Sequence, residues 1–445
     1  MTATTAAAAA PVGAAERIQA LDTTRGFAVL GILLMNIWSF AGPQAISDYP
    51  PAAADWGGAP LQTWAVVHTL FEGSQRGLFS ILFGAGMLLM VTRLQAGGPD
   101  TPTGRIYYRR LLLLMAFGLF DAFVLLWSAD ILLIYGLCGL LLYPLRRMGP
   151  RALLLAAFVV FTLHATIRTL DWRDSILLQQ EYAALHAGPE PPERLDEATA
   201  ARMRTWEAKE KRAHPDLDDP EIRESVRINA SGDFGEFVVE RLKTSLVVQI
   251  VVGLKSWFLD GLAAMLLGMA LFRSGVLTLQ APRSTYLLLA ALGYGIGLPL
   301  AAWETAATID ADFDAVLKAR NLIHYDVRRI AVALGHLGAI LLLCRALPGN
   351  RAAKRIAAVG RMALSNYLGQ SILCGLIFYT VGLGLYGRFT GFYLYLVVAG
   401  VWGVQIAFSN WWLARYRFGP FEWVWRSLTY RARQPMRRKQ PRPSP

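Results

Sequence analysis

Along the chain, apolar stretches long enough to cross a lipid bilayer alternate with short polar connections rich in arginine. A hydrocarbon core of about 30 Å needs about 20 apolar residues in a helix. On that measure the pattern predicts about ten crossings, at 26–42, 61–92, 109–127, 130–146, 151–170, 238–273, 284–304, 329–346, 362–385 and 392–414. Two of these are too long for one straight helix. The polar run Glu72-Gly73-Ser74-Gln75-Arg76-Gly77 interrupts 61–92 and predicts a broken or re-entrant segment. The first half of 238–273 carries Arg241, Lys243, Gln249 and Lys255, an amphipathic pattern that suits the membrane interface as well as a crossing. The expected fold is therefore all-α, a polytopic integral membrane protein. Its parts are a tail (1–25), a first bundle of five spans (26–170), a polar insertion (171–237), a second bundle (238–414) and a basic tail (415–445). The insertion carries Pro189, Pro191 and Pro192 and a helical stretch near 195–212, with too few aromatic or β-branched residues to bury a core of its own. It reads as a helical cap.

Composition supports this reading. Of 445 residues, 54% are hydrophobic and 17% charged, against about 25% charged in soluble proteins. That excludes a disordered chain, a nucleic-acid-binding domain and most soluble enzymes. Cys138, Cys344 and Cys374 all lie in apolar stretches, so neither a disulfide framework nor a metal site is expected. Residues Met1 to Ala15 form an Ala/Thr-rich tail without the features of a cleaved signal.

The net charge of +12 is placed, not spread. Alternate connections hold Arg93/Arg105/Arg109/Arg110, Arg146/Arg147/Arg151, Arg273/Arg283 and Arg345/Arg351/Lys354/Arg355/Arg361, followed by the tail from Arg415 to Arg442, including Arg437, Arg438 and Lys439. Of the intervening connections, 43–60 and 128–130 hold no Lys or Arg and 386–391 only Arg388, while 305–328 opens with Asp310, Asp312 and Asp314 before Lys318, Arg320 and Arg328. Basic residues stay on the cytoplasmic side, so both termini are expected inside, in a bacterial inner membrane. The basic tail then faces anionic lipid, and no nucleic-acid partner is expected.

Ionisable groups at membrane depth are costly, which makes each a candidate functional residue. Counting from the nearest basic residue puts Asn36 and Asp121 roughly 16 Å deep, Asp260 about 20 Å, and His336 and Gln370 about 14 Å. A polar cavity between helices is expected, with His336 as general base and Asp121 or Asp260 orienting it. The alternative is helix-to-helix hydrogen bonding. Glu72 and Arg76, spaced i, i+4, suit a buried pair, and Arg76 is also a candidate substrate ligand. Asp130 is either a second substrate ligand or a cap on the following helix. Arg328 and Arg329 suit an anion clamp or snorkelling to the interface. His164, His186, His214 and His324 show no ligand spacing to one another.

Two stretches carry a family resemblance. One is Leu21-Asp22-Thr-Thr-Arg25-Gly26 through Asn36, continued by Glu72 to Gly86. The other is Gly360-Arg361 to Ser371 with Phe418-Gly419-Pro420-Phe421-Glu422-Trp423-Val-Trp425-Arg426. Together they resemble the YeiB-like bacterial membrane proteins, whose C-terminal half is catalogued as a domain of unknown function. The Leu-Asp-x-x-Arg-Gly opening is similar to that of transmembrane acyltransferases, including the lysosomal heparan glucosaminide acetyltransferase. In the related acyltransferase-three family a His follows the Arg on this helix. Asn36 stands there in this chain, as in the glucosaminide enzyme. Three departures matter. The loop from Ile37 to Leu61 lacks the histidine of the glucosaminide enzyme, Ser74 stands where the resemblance implies Lys, and Asp121 where it commonly implies His.

The resemblance implies acyl transfer from acyl-CoA, a co-substrate and not a permanently bound cofactor, to an envelope glycan or lipid. Asp22, Arg25 and Arg361 would hold the CoA, and Asn36 would donate to the developing oxyanion. The rival expectations are a small-solute transporter and a non-catalytic scaffold.

Overall fold

The computed structural model describes residues 19–53, 56–98, 101–187, 195–347 and 350–438. The expectations for Met1 to Ala15, for Pro189, Pro191 and Pro192, and for Lys439 to Arg442 lie outside the described residues. Those described are helical, with a single isolated bridge between Tyr416 and Arg437. In chain order the helices are α1 (Gln19–Ala41), α2 (Gln44–Asp48), α3 (Gly58–Phe71), α4 (Ser74–Gln95), α5 (Thr103–Phe123), α6 (Leu132–Leu142) and α7 (Pro150–His186). In the insertion lie α8 (Glu197–Ala213) and α9 (Pro220–Ser231). Next, α10 (Phe234–Val247) runs through a π-helical stretch (Val248–Trp257) into α11 (Phe258–Arg273). The chain ends with α12 (Arg283–Asp310), α13 (Ala315–Ala346), α14 (Arg351–Arg361), α15 (Ala363–Phe378), α16 (Gly391–Arg415) and α17 (Pro420–Tyr430).

Among the described residues, seven stretches are long and apolar enough to cross a membrane by length and composition: α1, α3–α4, α7, α10–α11, α12, α13 and α16. The chain is a multi-pass membrane protein. Three expected crossings fall outside that set. α6 and α15 span 11 and 16 residues, roughly 16 and 24 Å and so short of the hydrocarbon core. α5 carries Arg105, Arg109, Arg110 and Asp121. The bundle is centred on α1, almost wholly buried, whereas α7 and α12 turn most of their apolar residues outward. Leu155, Phe158 and Val159 on α7, and Leu288, Leu292 and Ile296 on α12, are exposed, as a surface solvated by lipid requires.

Local sequence sets the helix ends. Pro150 and Pro420 occupy first turns, where their missing N–H costs nothing. Asp314 caps α13 by accepting from Leu317 N at 2.7 Å, and Asn350 caps α14 by accepting from Ala353 N at 3.1 Å. The insertion is held to α7 by Arg202–Glu181 (2.7 Å) and Lys209–Ser175 (2.7 Å), with Trp206 buried beneath.

Small residues let the central helices touch. A side chain at Gly84 would meet the Met265 backbone, and one at Gly268 would meet that of Ile81, so α4 and α11 pack backbone to backbone. Gly268→Leu is therefore expected to destabilise the bundle by about 1–3 kcal/mol through overpacking. Gly403→Leu, at an open position on α16, should leave thermal unfolding in detergent unchanged.

Candidate functional site

Three interruptions in regular helix meet at one place inside the bundle. The first is the break between α3 and α4, where Gly73 takes φ +69° and a side chain would collide with the Tyr325 hydroxyl. Second comes the 124–131 connection between α5 and α6, where Leu126 has φ +60°. Its carbonyls are met from α10 and the π-helical stretch. Arg241 donates twice to Leu126 O (3.1 and 3.0 Å), and Gln249 donates to Ser128 O (2.9 Å) and Asp130 O (2.8 Å). Irregular backbone at membrane depth survives only where protein or a cavity satisfies it. The π-helical stretch is the third interruption, a winding often found at functional sites.

Between them lies a partly open cavity of about 220 Å³, large enough for several waters. Its polar lining is Asn36 from α1, Glu72, Gln75 and Arg76 from the α3–α4 break, Trp257 from the π-helical stretch and Tyr325 from α13. The Asn36 amide has no hydrogen-bond partner among the described residues. Neither end of the Gln75 amide has one, although that residue is 1% exposed.

Behind the lining runs a buried chain of charges. Arg76 donates to Asp260 at 2.7 Å and to the Tyr325 hydroxyl at 3.1 Å, and Tyr325 donates to Glu72 at 3.2 Å. Glu72 is also held by Arg328, which pairs with Glu304 at 2.6 Å. Glu304 lies 2.5 Å from His324 Nδ1. On the other side Arg329, fully buried, donates to Asp326 at 2.7 Å and to the Asp260 carbonyl at 3.0 Å, and Asp326 meets His164 at 2.6 Å. Each charge has an opposite partner, which buried ions need.

The structure brings some of the expected site residues together and separates others. Asn36 and Arg76 line the cavity, and Asp260 stands behind Arg76 and fixes it. His336 is elsewhere: its Nδ1 lies 2.9 Å from the Tyr294 hydroxyl and its Nε2 3.0 Å from Leu70 O, with neither Asp121 nor Asp260 as partner. Asp121 and Asp130 are both fully buried and lie against each other, with Ser371 beside Asp121. Asp130 also accepts from Leu133 N, in the first turn of α6, at 3.1 Å. Glu72 and Arg76 do not pair as an i, i+4 couple. The helix breaks between them, so they leave in different directions, to Arg328 and Asp260. Arg328 and Arg329 are buried ion-pair partners and do not snorkel. Asp22 pairs with Arg25 at 3.0 Å near the start of α1, and Arg110 is close enough to Arg25 for their charges to interact. Arg361 ends α14 at the same end of the bundle, one residue after Gly360, which packs against the Asp22 backbone.

Sequence reasoning missed Gln75, Trp257 and Tyr325 as cavity residues, and His68. That histidine stacks on Trp64 (4.6 Å between centroids) one turn before Glu72. Trp64, His68 and Glu72 recur every four residues, a stripe legible in the sequence as one face of α3. Trp257 and Tyr325 left no such signal, because only the fold joins them.

The chain is 31% identical to the uncharacterized protein YeiB of Escherichia coli strain K12 over 94% of its own length and 98% of the relative's. It belongs to the DUF418 family. Residues 271–432 match that family's model, described as a protein of unknown function, and so cover α12 to α17 but not the α3–α4 break. The uncharacterized protein YxaH of Bacillus subtilis strain 168 is 29% identical over 95% of this chain and 97% of its own. No solved structure matches. The cavity of this DUF418 member draws Tyr325 from the matched segment, and Asn36 to Arg76 and Trp257 from outside it.

Proposed function

We propose that the protein is an enzyme of the bacterial cytoplasmic membrane that moves an acyl group from acyl-CoA to a hydroxyl or amine of an envelope glycan or lipid. The observation that carries this reading lies on α1. The half-buried Asn36 amide, with no hydrogen-bond partner among the described residues, faces a partly open cavity, and Arg25 stands on the same helix about 16 Å away, beside Arg110. The basic end of the bundle is then cytoplasmic, with both termini inside, and α5, α6 and α15, too short or too charged to qualify alone, cross together with their flanking connections to make about ten crossings with the seven long ones. Arg25 and Arg110, with Arg361 at the same end, bind the CoA phosphates. The thioester carbonyl lies against Asn36, which donates to its oxygen as negative charge develops. The acceptor enters from the opposite face, and Glu72, a carboxylate that lines the cavity, takes its proton. The acceptor oxygen or nitrogen bonds to the acyl carbon, the carbon–sulfur bond breaks, and Glu72 returns the proton to the leaving thiolate. Asp260 and Tyr325 position Arg76, a contact for the acceptor. Asp121 and Asp130 hold the wall at Ala129 and Ile131, and His336 ties α13 to α3.

Acetyl-CoA binding to the protein in nanodiscs tests this. Micromolar binding is expected, weakened about 10–100-fold in Arg25→Ala by loss of a charge-assisted contact. A folded protein that binds neither acetyl-CoA nor longer acyl-CoAs overturns it. The meeting of three interrupted stretches at one cavity favours a second reading, carriage of a small solute, which solute accumulation in proteoliposomes without acyl-CoA binding would establish.

A further inference from the structure

The α3–α4 break leaves a helix start that no side chain among the described residues completes. α4 is 22 residues long, and no side chain caps its N-terminus. The first-turn N–H groups of a helix have no intrahelical partner, and here Ser74 and Gln75 are each 1% exposed. Ser74 Oγ donates backwards to Leu70 O (3.1 Å) and Phe71 O (3.2 Å), so it leaves those N–H groups unmet. Independently, the buried Gln75 amide has no partner at either end and lines the cavity at the same point. Arg76 stands beside it. Its Nη2 is held by Asp260 and Tyr325, and its Nε and Nη1 meet no acceptor among the described residues.

We propose that the N-terminus of α4, with Gln75 and Arg76, binds a compact oxyanion, the phosphate group of a lipid headgroup or of a soluble phosphate. The unused groups at this corner are mainly donors, and the helix dipole adds partial positive charge. Glu72, the carboxylate nearby, lines the cavity, but its charge is offset by Arg328 and it accepts from Tyr325. An acceptor-rich ligand therefore completes the corner, and a cation does not. The inference rests on this geometry and not on acyl transfer: an enzyme would anchor a phosphate-bearing acceptor here, and a carrier would recognise the anionic end of its solute.

The test uses the full chain in a glycoside detergent, which carries no phosphate, titrated with inorganic phosphate or with phosphatidylglycerol mixed into the micelles. Thermal stability is the readout. A saturable rise in melting temperature with inorganic phosphate assigns the site to a soluble phosphate, and a rise only with phosphatidylglycerol assigns it to a lipid headgroup. In either case Gln75→Leu is expected to weaken the effect at least about tenfold, and to melt no lower than wild type without anion, since it removes an unmet buried amide. Gln75→Glu, which keeps the shape and adds negative charge, is the second variant and should abolish the response. The basic surface is unchanged in both, so a response retained in the variants, or none in wild type, overturns the proposal. Acetyl-CoA binding on the same samples reports separately on acyl transfer.

Discussion

Arg329→Met is expected to cost about 3–5 kcal/mol, the penalty for stranding buried charges by removing their partner. Against a total stability of about 5–15 kcal/mol, that removes much of the folded population. Arg329 is fully buried and holds two carboxylate residues at once: Asp326 through Nε at 2.7 Å, and Asp260 through its carbonyl at 3.0 Å, with the carboxylate 3.7 Å away. Methionine fills much of the volume and meets none of the charge. Asp326 would keep only His164, and Asp260 only Arg76. Arg329→Lys should fall between, since an ammonium cannot reproduce the forked contact. The measurement is monodisperse yield and thermal unfolding in detergent, with the exposed Arg173→Met as a control expected within about 0.5 kcal/mol of wild type. Adding Asp326→Asn to Arg329→Met should recover part of the loss, because the uncompensated charge goes with it. A stable Arg329→Met protein would mean that the chain of charges is dispensable to the fold.

Much of the architecture was legible because lipid enforces a simple code. Apolar stretches became helices, and the polar run after Phe71 became a break, at Glu72–Gly73. The 238–273 region is one unbroken helical stretch, and its polar face is explained by Arg241 and Gln249 serving carbonyls of the 124–131 connection. That role depends on a partner over 100 residues away, so no local pattern announces it. The site was half legible. Depth counting grouped Asn36 with Asp260, and the structure sets both at one polar region, Asn36 on the cavity and Asp260 behind Arg76. It misplaced His336 and Asp121, because equal depth says nothing about which way a helix face turns. His336 faces Tyr294 and Leu70, and Asp121 faces Asp130. Gln75 was passed over as an uncharged residue in a break. It matters because folding leaves its amide without a partner.

Glu72→Gln separates acyl transfer from mere binding. Glutamine keeps the side-chain length and still accepts hydrogen bonds from Arg328 and Tyr325, while Arg328 retains Glu304 at 2.6 Å, so the fold should persist. What is lost is the capacity to take and return a proton, worth about 10²–10⁴-fold in rate for a positioned acid or base. Transfer of labelled acetyl from acetyl-CoA into membrane glycolipid is therefore expected to fall at least about 100-fold, with acetyl-CoA affinity unchanged, since the proposed reading puts its phosphates at the other end of α1. Asn36→Ala should fall by a similar factor, about 10²–10³, through the oxyanion and not the proton. The two losses differ in kind. With an amine acceptor, raising the pH through the titration of its ammonium form should rescue Glu72→Gln, whose substrate then arrives as the neutral nucleophile, and leave Asn36→Ala as slow as before. Equal rescue of both variants, or full activity in Glu72→Gln, would remove Glu72 from the role of base and return the search to His68, one turn away on the same face of α3.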